Sequence, residues 1–337
     1  MANTTIYHLD EIPEDQLKLW QETAASMNLH FQTLSGETDE ELKKQFRDVE
    51  YLILNKRPLT EELLAAAEGL EFVQYEGRLT DRIPVASLKE RGIKFALAGL
   101  PSTIAVAEHA VALVLACAKQ IIPAHEMTVT GAYRELGVQP KVTTERSHGF
   151  QWMKIKGIEE LDQLQLGIFG YGEIGNEIAL RLKAFNMPVK YNKRTRFTPD
   201  YEKELGIEYA DKETLFRESD VMILNCPLTS ETEKAVGAHE LSLMKSSAIL
   251  VNVSRGGVID EQKLVDALKA KQIASAGLDV FLEEPVPHDH PYLSLDNVVL
   301  TPHIAGGKGN GRVRNIQRVL ENINQFINTG KAELQIV

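Results

Sequence analysis

Short runs of apolar and β-branched residues alternate with longer stretches in which apolar positions recur at helical spacing, and the alternation continues nearly throughout the chain. Such alternation predicts a parallel sheet flanked by helices, because each parallel strand needs a crossover to bring the chain back. YLILN (51–55) and KFALA (94–98) read as buried strands, and EELLAAAEGL (61–70) as a helix. VAEHAVALVLACAKQI (106–121) is apolar on nearly every side, which predicts a helix buried between layers or domains. The rhythm lapses over residues 130–155, where the polar, irregular sequence predicts a surface excursion. It resumes at QLGIFG, continues to NVVLT (297–301), and ends in RVRNIQRVLENINQFI (312–327), an amphipathic helix expected to pack on the body.

At 337 residues the chain is too long for one ordinary core, so two domains are expected. Its 43% apolar and 25% charged residues are those of a soluble globular protein, and no apolar run is long enough to span a bilayer. The first residues, MANTTIYHLDEIPEDQ, have neither the basic nor the apolar region of a secretion signal, and a cytoplasmic protein with no membrane partner is expected. Cys117 and Cys226 lie far apart, which argues against a disulfide framework and fits a reducing compartment. A net charge of −11 argues against a nucleic-acid partner, since neutralising phosphates needs a basic face. A cationic cluster in such a chain should serve something small and local.

QLGIFGYGEIGNEIALRLKAF carries Gly170, Gly172 and Gly175 in the spacing G-x-G-x-x-G, with Tyr171, Glu173 and Ile174 between them. An apolar strand precedes the turn and an amphipathic helix follows, the context a dinucleotide site requires. The first glycine permits the tight turn, the second lets a pyrophosphate approach the backbone, and the third lets helix pack on strand. An NAD site places an acidic residue about 20 positions further on, against the ribose hydroxyl. Here the strand MPVKY is followed by Asn192, then Lys193, Arg194, Thr195 and Arg196. A neutral amide backed by cations and a hydroxyl suits a 2′-phosphate, so the stretch predicts NADP in preference to NAD. The alternative is a solvated turn.

PLTSET, LVNVSRGGVIDE, AGLDVFLEEP and TPHIAG follow, and with these the chain resembles the D-isomer-specific 2-hydroxyacid dehydrogenases, in particular glyoxylate/hydroxypyruvate reductase-like members. The resemblance implies two Rossmann-like, doubly wound α/β domains with a cleft: a discontinuous substrate domain, 1–101 plus 303–337, and a dinucleotide-binding domain, 102–302. It implies an Arg–Glu–His catalytic set at Arg255, Glu284 and His303, cofactor contacts at Cys226, Pro227, Thr232, Val253, Ser254 and Asp279, and a homodimer supported by the helix near 106–121. Family spacing from Asp279 selects Glu284, with the adjacent Glu283 as the alternative. For Asp279 the alternative is a strand-end cap. The chemistry asks for such groups independently. Hydride transfer to a 2-oxo acid leaves an alkoxide that needs a proton, which a histidine can supply. A carboxylate beside the imidazole orients it, and a guanidinium grips the substrate carboxylate and polarises the carbonyl.

The family's substrate loop, G-x-G-x-D, reads GRLTD here, with Gly77 retained, Leu79 in place of the second glycine, and Arg78 in the variable slot. A cation there predicts a substrate with a second negative charge; an Arg turned to solvent or to cofactor phosphates is the alternative. Lys308, in the glycine-rich stretch after His303, is a candidate anion contact, and His288 and His290 in PVPHDHP lack the partners a metal site needs. Phosphite oxidation, formate oxidation and a cofactor-sensing, corepressor-like binding protein remain as rivals on the same scaffold. Formate enzymes carry Gln where this chain has Glu284, which disfavours that branch.

Overall fold

The computed structural model describes residues 4–36, 38–144, 150–307 and 311–337. The chain divides into two compact units, Met1–Ile104 with Gly307–Val337, and Ala105–Gly306.

In the first unit β1 (Thr4–His8), β2 (Leu29–Thr33), β3 (Tyr51–Leu54), β4 (Phe72–Tyr75) and β5 (Lys94–Leu97) form a parallel sheet of order β2-β1-β3-β4-β5. Helices α1 (Glu14–Ser26), α2 (Asp39–Phe46), α3 (Glu61–Ala66) and α4 (Val85–Glu90) make the crossovers. Because side chains alternate across a strand, β3 sends Leu52 and Leu54 into one core and Ile53 into the other. The first core is closed by Leu42, Phe46 and Leu63 of α2 and α3; the second holds Ile6, Trp20, Phe31 and Phe72.

The second unit begins within α5 (Pro101–Ala118), followed by α6 (Ile121–Thr130). The expected single helix of 106–121 therefore starts earlier and breaks sooner. Gln120 takes up a left-handed conformation, φ +53°, and starts a new helix. α5 buries one stripe, Ala107, Ala110, Val114 and Cys117, while Val106, Val111 and Leu115 are half-buried, so it is less enclosed than its composition suggests. After a short turn at Ala132–Leu136 the chain has no regular element until β6, in keeping with an irregular excursion, although residues 145–149 lie outside the description.

Strands β6 (Leu166–Phe169), β7 (Val189–Asn192), β8 (Glu208–Tyr209), β9 (Val221–Leu224), β10 (Ile249–Asn252), β11 (Ser275–Leu278) and β12 (Val298–Leu300) form a second parallel sheet, ordered β12-β11-β10-β9-β6-β7-β8. Its crossovers include α7 (Glu173–Leu182), α8 (Pro199–Leu205), α9 (Lys212–Glu218), α10 (Ala238–Leu243) and α11 (Glu261–Lys269). β6 pairs with both β7 and β9, so the order of winding reverses there, at the place where open α/β sheets bind ligands. The last helix, α12 (Gly311–Thr329), returns to the first unit. It buries Ile316, Val319, Leu320, Ile323 and Phe326 in the second of that unit's cores, with Phe326 stacked on Phe72 at 4.3 Å.

Candidate active site

The glycine turn leaves β6 at the switch point. Gly170 has φ +99°, and a Cβ there would stand 2.5 Å from the Cys226 amide nitrogen and 2.6 Å from the Asn225 carbonyl carbon. The chain after β9 thus crosses directly over the turn, and the Asn225 side-chain amide donates to the Gly170 carbonyl at 3.1 Å. A Cβ on Gly175 would stand 3.2 Å from the Gly170 carbonyl oxygen and 3.3 Å from Ile168 Cγ2, which reflects the close packing of helix on strand. Gly172 differs, because a Cβ there would meet nothing within 4 Å. It stands at the cap of α7 with no side chain answering the first amide groups, leaving the open approach that a pyrophosphate needs. These residues fit a dinucleotide. Tyr171 points inward, its hydroxyl donating to Asn176 at 3.1 Å and its ring packed on Tyr191 and Phe197, so only its backbone lies in the turn. Glu173 and Ile174 open α7 and are half-buried.

β7 ends at Asn192, whose amide donates to the Ala210 carbonyl at 2.9 Å. Lys193 places Nζ 3.5 Å from the centre of the Phe197 ring, and Arg194 and Thr195 are exposed. Arg196 is not part of an open cationic cluster. Its guanidinium bonds Glu202 through two nitrogens, at 2.7 and 2.9 Å, and lies over the Tyr209 ring. The bonds from Arg196 are the chief reason the Glu202 carboxyl sits below its ordinary value. Spacing alone could not show that α8 folds a carboxylate back onto this position.

The segment after β9 is held by its own side chains. Burial pushes the Cys226 thiol up to about 11, so it stays neutral. Thr232 donates its hydroxyl to the Pro227 carbonyl at 2.6 Å and accepts from the Thr229 amide at 2.8 Å, which ties the loop shut. Val253 and Ser254 are buried at the turn after β10. Asn252, which the sequence did not single out, organises that turn. Its Oδ1 accepts from the Ser254 amide, 3.0 Å, and hydroxyl, 2.7 Å, while its Nδ2 donates to the Arg255 carbonyl at 3.1 Å. The available signal was a polar residue ending an apolar strand, since a fully buried amide must find partners.

Arg255, Glu284 and His303 follow β10, β11 and β12, which are neighbours in the sheet. Topology therefore sets the loops that carry them side by side. His303 Nδ1 lies 2.6 Å from Glu284 Oε2, with both side chains partly exposed, and the other Glu284 oxygen accepts from the Phe281 amide at 3.0 Å. Burial opposes ionisation of Glu284, yet the bonds from the His303 ring and the Phe281 amide outweigh it and hold the carboxyl below its ordinary value. An ionised carboxylate only accepts, so Nδ1 carries the proton of this bond. Arg255 is extended and exposed, its guanidinium donating to the Ser254 carbonyl at 2.6 Å. The next residue, Gly256, touches the other loop: a Cβ there would lie 1.9 Å from the Phe281 carbonyl carbon. The Arg255 turn and the Glu284 loop are thus in backbone contact.

Asp279 is wholly buried and receives four groups. Thr301 donates its hydroxyl at 2.6 Å and the Ile304 amide donates at 3.0 Å to one oxygen; the Ala305 amide donates at 2.9 Å to the other. His109 of α5, also unremarked in the sequence, stands 3.3 Å from Asp279 and 2.9 Å from the Thr301 hydroxyl. These are the contacts of a strand-end cap, and they clamp the loop on both sides of His303. His290 accepts from the Tyr292 amide at 3.2 Å and pairs with Glu261 at 2.8 Å.

In the first unit the GRLTD turn follows β4, with Gly77 and Leu79 buried and Arg78 half-buried. Leu79 is thus an inward-facing side chain at the position of the usual second glycine. Lys308 lies outside the described residues.

The open approach at Gly172 and the imidazole–carboxylate pair, both at the carboxyl edge of one doubly wound sheet, define a dehydrogenase of the Rossmann class. Residues 111–305 match the family described as "D-isomer specific 2-hydroxyacid dehydrogenase, NAD binding domain". The chain is 35% identical to a glyoxylate reductase of Thermococcus onnurineus, over 94% of this chain and 91% of that one. It is 39% identical to a glyoxylate reductase of Pyrococcus furiosus, over 85% and 82%. An NADPH-dependent glyoxylate/hydroxypyruvate reductase from Sinorhizobium meliloti, solved with citrate, aligns over 99% of this chain and 98% of its own, with a TM-score of 0.53 and 28% identity. The chain belongs to the D-isomer specific 2-hydroxyacid dehydrogenase family. It is an NAD(P)-dependent oxidoreductase that acts on a small 2-oxo acid.

Proposed function

We propose that the protein reduces a small 2-oxo acid of the glyoxylate or hydroxypyruvate kind to its 2-hydroxy acid, with NADPH as the preferred cofactor. The observation that carries this reading is the His303–Glu284 pair at 2.6 Å on a loop clamped by Asp279. The bound nicotinamide supplies the hydride. His303 gives a proton from Nε2 to the oxygen that becomes the hydroxyl, since Nδ1 is engaged by Glu284. Glu284 holds the ring and balances its positive charge. Arg255 turns from the Ser254 carbonyl to bind the substrate carboxylate and polarise the carbonyl. Gly77, Arg78 and Leu79 supply the substrate loop, with Arg78 answering a second anionic group where the substrate has one.

For the cofactor, the turn Gly170–Gly175 takes the pyrophosphate, and Asn192, Lys193, Arg194 and Thr195 take the 2′-phosphate. Cys226, Pro227, Thr232, Val253, Ser254 and Asp279 line the remainder, with Thr232 and Asp279 shaping their loops. A relative supports the reading: an NADPH-dependent glyoxylate/hydroxypyruvate reductase of Sinorhizobium meliloti was solved with NADP and malonate, a dicarboxylate. The exposed apolar residues after α5 are assigned to a homodimer contact.

The test is a panel of glyoxylate, hydroxypyruvate, pyruvate and oxo-dicarboxylates, with phosphite and formate as controls, followed through reduced-cofactor absorbance with NADPH and NADH. The expected result is turnover of a 2-oxo acid with kcat/KM at least about tenfold higher for NADPH. Arg194→Ala should erase most of that preference, whereas Arg196→Ala should lower stability and leave the preference. An NADH preference in the parent protein, or turnover of phosphite alone, would discard the respective assignment.

A further inference from the structure

At the carboxyl edge of the first sheet, side chains from three other places converge on one carboxylate. Glu76, the residue after β4, is only 4% exposed. Its Oε2 accepts from Asn55 Nδ2 at 3.0 Å and lies 3.3 Å from His8 Nε2, while Oε1 accepts from Asn315 Nδ2 at 2.6 Å. The Asp10 amide donates to His8 Nδ1 at 3.0 Å, which leaves Nε2–H to face the carboxylate. His8 ends β1 and Asn55 follows β3, the strand between β1 and β4, whereas Asn315 comes from α12. Asn315 Oδ1 is buried and has no hydrogen-bond partner among the described residues. Its donor is thus directed at Glu76 while its acceptor is left unanswered, an arrangement that favours geometry over stability.

A sheet edge needs no such group, because an apolar side chain of similar volume packs there with no desolvation cost. Buried polar clusters are at their most useful where they fix one arrangement among several. What this one fixes is the residue from which the GRLTD turn departs. The Glu76 amide donates to the Leu54 carbonyl at 2.7 Å, and the side chain is held by the three groups above. With both anchored, the Glu76 Cα is set in place, and only one soft torsion, ψ, separates it from the planar peptide that carries the Gly77 N–H.

We propose that Glu76, held by His8, Asn55 and Asn315, is a positioning residue for the Gly77–Leu79 turn and through it for the substrate's carboxylate. The proposal rests on the reading that this turn binds substrate. A site that must hold its ligand to within about 0.5 Å needs such support behind the groups that touch it.

The experiment compares Glu76→Ala, Glu76→Gln, Asn55→Ala and Arg78→Ala with the parent protein, using both the faster of glyoxylate and hydroxypyruvate and an oxo-dicarboxylate, Arg78→Ala being judged on the dicarboxylate, and measuring KM, kcat, NADPH affinity by fluorescence, and thermal stability. Glu76→Ala should raise KM about tenfold or more, with kcat changed less than about threefold and NADPH affinity unchanged. Glu76→Gln, which keeps an acceptor for Asn315, should recover most of the KM, and Asn55→Ala should fall between. If Arg78→Ala raises KM and Glu76→Ala does not, the positioning role is refuted while the substrate loop stands. If neither raises KM, the substrate loop itself is misassigned and the proposal falls with it. Parallel losses in KM, kcat and NADPH affinity would mean general damage and also overturn it. Should Glu76→Ala fail to fold, Asn55→Ala decides by the same criteria.

Discussion

His303 holds its backbone at φ +53°, a region that costs a non-glycine residue about 1 kcal/mol or more. The clamp from Asp279 to the Ile304 and Ala305 amides is what sustains it, so the imidazole is aimed by bonds that need no ligand. Removing the ring should therefore leave the loop in place. His303→Ala is expected to lower kcat by about a hundredfold or more while NADPH affinity stays the same, measured by steady-state rates and calorimetry. The partner carboxylate sets a pH dependence. Since the folded-state value of Glu284 lies below its ordinary 4.5, its contribution to stability is complete above that pH and is lost as the pH falls through the lower folded value. In urea melts, the stability difference between the parent protein and Glu284→Gln should shrink below about pH 4.5, and a constant difference down to pH 3 would contradict the pairing. Arg255, Glu284 and His303 stood out in the sequence through the family motifs that carry them, and of these the structure pairs Glu284 with His303. His109 and Glu76 were not legible there, since each acts through partners distant in the chain, whereas Asn252 bonds Ser254 and Arg255 directly after it and its only signal was a polar residue ending an apolar strand. A buried imidazole or carboxylate has no local pattern.

Turns between elements impose a second set of constraints. Gly170 and Gly256 are both backbone crossings: one passes under Asn225–Cys226, the other under Phe281, and any Cβ would collide with main chain. Gly172 has space around it and an ordinary φ of −121°. The same substitution should therefore have opposite consequences. Gly172→Ala is expected to melt within about 2 °C of the parent protein yet bind NADPH about tenfold more weakly, because the new methyl occupies the approach to α7. Gly170→Ala should lose stability by about 1–3 kcal/mol. A thermal melt and a fluorescence titration on each separate the two cases. Strand and helix types were readable from periodicity, as β3, β5, β6 and α12 illustrate. The break between α5 and α6 was not, because Gln120 carries no sequence signal for a left-handed turn and the apolar pattern runs straight through it.

Across the molecule, element order pointed to a parallel sheet flanked by helices and the family resemblance to doubly wound domains, and among the described residues no single helix is long and apolar enough to cross a membrane. Composition was silent on the surface after α5. There Val129, Val142 and Phe150 are 71%, 88% and 85% exposed, and Ile121, Ile122, Leu136 and Trp152 are exposed as well. Aliphatic and aromatic side chains so open to water lose free energy on association. Sedimentation should return about twice the chain mass of 37.6 kDa, and Val142→Asp with Phe150→Asp should yield a monomer of unchanged circular dichroism; a parent protein that sediments as a monomer would remove the dimer assignment.

The discontinuity of the first unit has a consequence for biosynthesis. A ribosome releases Ala105–Gly306 before the residues of α12, whose Ile316, Val319, Leu320, Ile323 and Phe326 cover one side of the first sheet. On that side α1 supplies Trp20, stacked on Phe31 at 4.8 Å, but the part around Phe72 must wait for α12, while the later-encoded unit already has its whole sequence and can fold. Maturation runs against the direction of translation, and the interval in which a nascent chain needs a chaperone is set by how long that half-covered side waits for α12.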